Sequence, residues 1–450
     1  MAFQAGANRA SLKSASIVAR RKDCIMAPAR NPRFGVAKEM ITPPFKTPMA
    51  GYDTKRDTPF EAIHDDLFVR TVVLDDGANT AILMSADLCF HDLNLLNRVK
   101  AFANVEFGVQ GDGVFLSYTH THSGPSVLSY DYGHHSDAYE EFLFSRCTDC
   151  LRKAFAGMFE GEMAHTVATG RWSMNRRREV DGKILLLPNP EKRTDTDLPV
   201  YIIYDRQGRV RSLLTTYSCH PVSVGYTMDI SADFPGRLCA LLEAEFYGCV
   251  PIFFQSAGGD SRPLATADGA KWRQMDYQDV DDMAHSMARR VVAAVHSGKA
   301  ERIALDLAAR QFTMRLEIEP FALEEMIRAR DHADNPHKFA RVVEHYDELP
   351  NYLELMGGIL RLDDRRFLFF MGGEVTSEIK FMLQAAFPDY KVQLIGYCDD
   401  LAYIPSDKMI AEGGFEAGDS IQGYGRKGRF VAGLDKVVLD AYTRTMDTLK

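Results

Sequence analysis

The sequence predicts an α/β protein, a mixed β-sheet core covered by helices, and three observations predict it. Short apolar runs alternate with stretches of helical periodicity along most of the chain. Some of the runs are joined by hairpin chemistry, as in "YDRQGRV" around Gly208, so antiparallel hairpins and longer crossovers must share one architecture. With 450 residues, 46% of them hydrophobic and 26% charged, the chain can fill a large core, as one big domain or two moderate ones.

The first 33 residues stand apart from that pattern. Arg9, Lys13, Arg20, Arg21, Lys22, Arg30 and Arg33 face a single acid, Asp23, with Ala and Ser between them, which reads as a basic, poorly ordered leader. Met26 is an alternative start, and a targeting peptide is the competing reading. Beyond the leader, apolar runs of strand length predict strands at 67–74, 80–85 and 114–118, with a periodic helix at 94–107. A longer helix is expected at 137–159, followed by strands at 199–204 and 210–217 on either side of the Gly208 turn. The pattern continues with a helix at 235–246, a strand at 250–255 and helices at 280–296 and 322–345. Strands at 367–371 and 392–396 and a helix at 434–449 complete it. The Pro- and charge-rich stretch "LPNPEKRTDTDLP" reads as a surface loop.

Composition excludes some partners. A formal net charge of −9 is the wrong sign for a nucleic-acid backbone, which recruits basic surfaces. No apolar run approaches the roughly 20 residues that span a bilayer, so no transmembrane segment is expected. The cysteines at 24, 89, 147, 150, 219, 239, 249 and 398 are scattered through apolar segments, as core residues in a reducing compartment would be, and predict a cytoplasmic location. Cys147-x-x-Cys150 has no second pair and lies inside a helical pattern, so packing is preferred to metal binding. The sequence leaves homo-oligomerisation open.

Five predicted strands end in residues fit for chemistry. "VFLSYTHTHSGPS" runs from an apolar strand into His120-Thr121-His122, and residues two apart on a strand share a side. "LLTTYSCHPVSVG" ends in His220, with Asp233 following in "ISADFPG" just before a helix. "FFQSAGGDSRP" closes in a Gly258-Gly259-Asp260 turn that lets backbone amides approach a ligand. "RRFLFFMGGE" delivers Glu374, and "KVQLIGYCDDLAYIP" is followed by Tyr403. Ligands gather at such strand ends in α/β sheets, so a small-molecule substrate is expected there.

Histidines with one carboxylate suit zinc, leaving a position for water. Taken singly, His220 reads as a structural histidine and Glu374 as an acid near a helix start; their joint occurrence points to a site. No Gly-x-Ser-x-Gly elbow is present, and Gly423-x-Gly425-x-x-Gly428 lacks the strand and βαβ unit a dinucleotide site requires. His134-His135 reads as a solvated loop pair.

In order, "THTHSGP", "NRR" at Asn175-Arg176-Arg177, "CHPVSVG", "ISADFPG", "QSAGGD" and "MGGE" resemble the catalytic domain of the neutral, non-lysosomal ceramidases and their uncharacterised bacterial relatives. So do "ITPP", "MAGYD" and "IHDDLFVRTVVLDDG" nearer the N-terminus. The resemblance covers Phe34 to the C-terminus and implies a single neutral-ceramidase-like catalytic domain over 34–450, without the C-terminal immunoglobulin-like domain of the true ceramidases. It implies a catalytic zinc held by His120, His220, Glu374 and Tyr403, with His122 beside it handling protons and Arg176 lining the site. Asp233 and Arg262 join the catalytic candidates.

Two departures shift the expected substrate. The family carries a serine in a Gly-Asp-x-Ser-Pro turn, whereas this chain has Arg262 in that place, within Gly259-Asp260-Ser261-Arg262-Pro263. A second family tyrosine aligns with Phe415. A guanidinium stays protonated and only donates, so it cannot replace a hydroxyl nucleophile. The expectation is a zinc-dependent hydrolase in which zinc-bound water attacks an amide of the ceramide or N-acyl type, or a related bond, in a substrate more polar than ceramide. Hydrolysis of an ester, lactone or glycoside, or ligand binding without catalysis, is the alternative.

Overall fold

The computed structural model describes residues 31–449 apart from 53–57, 91–92, 128–135, 225, 333–336, 400–401 and 421–423. Residues 1–30 of the 33-residue leader, with Met26 and Cys24, the His134-His135 pair and Gly423 therefore lie outside the described residues.

Strand β1 (Arg33–Met40) begins on a residue the sequence reading assigns to the leader, and runs antiparallel to β2 (Phe68–Asp75), which pairs with β3 (Thr80–Ala86). Helix α1 (Leu93–Phe107) returns the chain so that β4 (Val114–Tyr118) lies parallel to β3. Next come α2 (Asp137–Ala156), β5 (Phe159–Thr169) and the hairpin of β6 (Ser173–Val180) with β7 (Lys183–Asn189). The hairpin of β8 (Asp197–Asp205) and β9 (Val210–Tyr217) follows, and α3 (Asp233–Glu245) crosses over to β10 (Val250–Gln255), parallel to β9. Short β11 (Ser261–Pro263) pairs with β6, β12 (Ala267–Asp268) with β13 (Lys271–Trp272), and after α4 (Tyr277–His296) β14 (Glu301–Ile303) extends β5. The large sheet runs β10-β9-β8-β5-β1-β2-β3-β4, with β14 beside β5.

A second sheet is built from the C-terminal third. It comprises β15 (Ala308–Pro320), β16 (Tyr352–Arg361), β17 (Arg366–Met371) and, after β18 (Glu374–Val375) and α7 (Ser377–Ala386), β19 (Lys391–Ile395). Helices α5 (Leu323–His332) and α6 (His337–Glu344) occupy the β15–β16 connection. Beyond β20 (Tyr403–Ile404) and α8 (Asp407–Glu412), β21 (Gly428–Phe430) closes the order β19-β17-β16-β15-β21, and α9 (Leu434–Asp447) packs on β15 and β16.

Local chemistry explains the boundaries. Every residue of β4 and β17 is buried, and both read as mainly apolar runs in the sequence. Ser136 caps α2 by accepting from the Tyr139 amide, and an Asp276/Asp279 capping box opens α4. The expected helix at 137–159 stops at Ala156: Gly157 caps it and Phe159 already belongs to β5. In the expected 322–345 helix two separate helices are described. Cys147 and Cys150 are buried in α2, where Cys147 and Cys150 pack into the core and burial pushes the Cys150 thiol up to about 12. The stretch "LPNPEKRTDTDLP" does hold a loop, at 190–196 between β7 and β8, but its surface reading fails at Asp195, which is buried and accepts from Lys380 and, at 2.7 Å, from Ser218 Oγ. Among the described residues no helix is long and apolar enough to cross a membrane.

What positions the site is a run of parallel pairs. β3/β4, β9/β10 and β17/β19 are each parallel, so their C-terminal ends emerge side by side. Backbone bonds then join the two sheets at those ends: Tyr118 N donates to Tyr397 O at 3.1 Å and Gly396 N to Gln255 O at 2.9 Å.

Candidate metal centre

His120 follows β4 by two residues and sits at φ +67°, in the left-handed region that non-glycine residues rarely enter. The expectation that His120 and His122 share the side of a strand is thus met by a different route, a turn. Their Nε2 atoms lie 3.1 Å apart.

His120 Nδ1 lies 2.6 Å from the carbonyl of Cys89, and His220 Nδ1 lies 3.2 Å from the carbonyl of Gly258. A carbonyl only accepts, so each Nδ1 carries the ring proton and each Nε2 turns its lone pair inward. Those two Nε2 atoms are 3.0 Å apart. Glu374 Oε2, buried and without a hydrogen-bond donor, stands 3.2 Å from one and 3.4 Å from the other. Three inward-facing acceptors repel one another unless a positive charge lies among them. Tetrahedral zinc with bonds of about 2.05 Å would space its ligand atoms about 3.3 Å apart, so the donor set and its spacing fit that ion.

The electrostatics agree. Burial disfavours a charged His120, yet Cys89 and Glu374 outweigh it and would hold a proton there up to about 10, the response of a site that requires one positive charge. His220 is driven well below the usual imidazole range by burial and by its cationic neighbours, so its lone pair stays available. Burial alone would raise Glu374, but His120 and the Tyr424 hydroxyl overcome it and its carboxyl titrates lower than usual.

Glycines allow the approach. A Cβ on Gly259 would come within 2.5 Å of the Glu374 carbonyl, and the Gly259 amide donates to Val375 O at 2.9 Å, so the "QSAGGD" turn presses directly on "MGGE". Gly51 of "MAGYD", at φ +102°, has His122 where its Cβ would be.

Tyr403 is brought to the same place. The β18–β20 ladder registers it opposite Glu374, and its ring stacks on His220 at 6.2 Å. Arg176 lies over its ring at 5.1 Å and the Tyr424 ring is 5.9 Å away, close enough for both to act on its hydroxyl. His122 groups with His120 and Cys89 rather than with all three inward acceptors, and the Tyr52 ring meets it edge-on at 4.9 Å.

Arg176 sits at a β-bulge between Asn175 and Arg177, where β6 shifts register against β7. On a regular strand neighbours point to opposite faces; the bulge lets both arginines reach Glu416, Arg176 Nε at 2.8 Å and Arg177 Nη1 at 2.7 Å. Arg176 Nη2 keeps no protein partner. Arg262, on β11, has no carboxylate within ion-pair distance among the described residues and lies over the Trp272 ring at 5.2 Å. Asp233 is not brought into the cluster. Its oxygens accept from the Ser223 hydroxyl at 2.6 Å and amide at 2.9 Å and from the Phe234 amide at 2.6 Å, which pins the loop after His220.

Sequence reasoning missed three residues here. Tyr424 donates to Glu374 Oε1 at 2.8 Å, and its only signal was a place inside the discounted glycine pattern. Tyr397, at φ +58°, lies 4.5 Å from the His120 ring with its hydroxyl buried and without a partner; it stood unremarked in "IGYCDD". Asp260 joins three segments, accepting from Asn175 at 2.8 Å and from the Ser377 amide and hydroxyl at 2.8 and 2.7 Å.

No family profile matches the sequence. Among solved structures, the neutral ceramidase from Pseudomonas aeruginosa matches at a TM-score of 0.69 and 17% identity, over 92% of this chain and 75% of that one. A second, a ceramidase complexed with C2, matches at 0.69 and 16% identity, over 92% and 76%. At these identities the likeness speaks for the backbone, and it agrees with the two sheets and converging strand ends described above. The chain therefore has the fold of the neutral ceramidase catalytic domain.

Proposed function

We propose that the protein is a zinc-dependent hydrolase that cleaves an N-acyl amide or a related bond in a small substrate more polar than ceramide. One observation carries the proposal: Nε2 of His120, Nε2 of His220 and Oε2 of Glu374 face one another within 3.4 Å, a set of donor atoms that calls for one positive charge among them. These three and Tyr403 would hold the ion, and residues 34–450 would form one catalytic domain. Bound there, zinc would supply Lewis acidity, lowering the pKa of a water and polarising a carbonyl.

The chain's own residues supply the rest. His122 Nε2, 3.1 Å from the His120 ring nitrogen, is placed to take the proton released by the attacking water and return it to the leaving amine. Arg176, fixed by Glu416 and with Nη2 left over, can donate to charge developing on the carbonyl oxygen. Arg262 replaces the hydroxyl that the resemblance leads one to expect, so no acyl-enzyme is formed through that position. The seven described cysteines are buried free thiols, which suits a reducing, cytoplasmic setting.

Elemental analysis of the purified protein tests the reading, paired with hydrolysis assays on amides, esters and glycosides with and without chelator. One zinc per chain, chelator-sensitive amide hydrolysis and loss of both in His220→Ala are expected. Stoichiometric zinc and full activity in His220→Ala would overturn the ligand assignment.

A further inference from the structure

Among the described residues, Arg262 is a part-buried cation of this site whose charge no carboxylate compensates. Each other buried guanidinium nearby has its acid: Arg176 and Arg177 share Glu416, and Arg177 also reaches Glu412 at 3.2 Å. Arg262 has none among the described residues, and its Nε is buried without a hydrogen-bond partner. Burial, together with a second cation, Arg176, holds its pKa below the usual arginine value. Burying part of a cation beside another is unfavourable, and a protein tolerates it where something else brings the counter-charge.

The surroundings say what that is. Trp272 covers one face of the guanidinium at 5.2 Å, while Tyr52 and Tyr226, stacked on each other at 4.6 Å, lie close enough to act on its charge. Tyr226 is 65% exposed, so this aromatic wall opens to solvent and a solute can enter along it. Tyr52 also touches His122, and Arg176 lies over the Tyr403 ring at 5.1 Å, so the wall leads from solvent to the inward-facing acceptors. Flat walls and a planar fork of donors match a planar, delocalised anion.

We propose that Arg262, with Arg176 behind it, forms a carboxylate-binding subsite, and that the natural substrate is an anion whose carboxylate sits beside the bond to be cut and next to a flat apolar group. This rests on the hydrolase reading for what happens afterwards, but binding does not require turnover. Ceramide, which has no carboxylate, would leave Arg262 desolvated and unpaired, so the same residue that selects an anion rejects a neutral lipid.

The test is calorimetric titration of the full-length protein with benzoate and with benzamide, its neutral isostere, before and after chelator treatment. Benzoate should bind at least 10-fold more tightly than benzamide in both preparations, and Arg262→Gln should weaken benzoate about 10- to 100-fold without moving benzamide. Arg262→Lys, which keeps the charge but loses the fork, should fall between them. Equal affinity for the two probes in the unmodified protein, benzoate binding that vanishes with chelator, or Arg262→Gln binding benzoate as before would each overturn the proposal. The first comparison needs no variant, so a misfolded substitution does not spare it. Absence of hydrolysis with intact, Arg262-dependent benzoate binding would instead count against the hydrolase reading alone.

Discussion

His122 shows how one side chain's place separates two roles. It is within reach of the His120 ring yet grouped apart from Glu374 and His220, so deleting it should spare the metal and harm the chemistry. His122→Ala is expected to lose 10²- to 10⁴-fold in kcat, the usual span for a general acid–base group, with zinc content unchanged. Loss of metal together with activity would make it a ligand. His120, His220 and Glu374 stood out at this scale because histidines and a carboxylate end successive predicted strands, whereas Arg176, inside β6, came only from the resemblance. Tyr397 and Tyr424 were not legible, since a tyrosine's ordinary fate is burial in a core, and only the packing distinguishes a hydroxyl that serves Glu374 from one that fills space.

At the scale of elements, apolar composition decided what could be read. Strands such as β4, β10 and β17, buried almost throughout, announced themselves. β15 reads "AARQFTMRLEIEP" with its middle and later residues alternately buried and exposed, and β6 reads "SMNRRREV"; both were missed because their polar residues resemble loop. In β6 the arginines are affordable only because Glu416 comes from a segment about 240 residues later, which no local pattern reveals. β5 gives a prediction of its own. His165, whose ring is tilted against Tyr201 at 4.7 Å, is pushed down to about 4 by burial and by the positive Arg366 and Lys391. The unfolded chain takes up this proton near pH 6.5 and the folded chain only near 4, so stability falls as pH drops through that window and the His165 contribution is gone below it. The whole effect is on the order of 3 kcal/mol. In His165→Phe, urea denaturation should lose less stability between pH 6.5 and 4.5 than the unmodified protein does; parallel losses would refute the assignment.

For the whole molecule, the inward-facing cluster is also a joint between two sheets. His120 and His220 belong to the large sheet's strand ends and Glu374 to the second sheet's, so whatever cation binds there ties one to the other. A ligand bound only by the native state raises stability by RT ln(1 + [L]/Kd), about 4 kcal/mol at a thousandfold excess over Kd. Chelation should therefore lower the melting temperature by several degrees and restore it on adding zinc, and the shift should be absent in His220→Ala. An unchanged melting temperature on chelation would mean that the sheets hold together without the ion. The fold class was legible because alternation and hairpins survive in any sequence of this architecture, whereas the division into two sheets was hidden in the unread strands β15, which is polar, and β16, whose apolar run is broken by Gly357-Gly358.

The same joint sets an order of events at birth. The ribosome extrudes the chain from the N-terminus, and the segment separating His220 from Glu374 is about 150 residues, roughly 8–30 s of synthesis at 5–20 residues per second. Throughout that interval both imidazoles can be outside the tunnel without the carboxylate that completes their set. A nascent chain is then a poor two-histidine chelator, exchanging whatever ion it meets, and becomes a discriminating one only when β17 and β18 have docked. The choice of ion at the proposed site would accordingly be a property of the finished chain, made after translation.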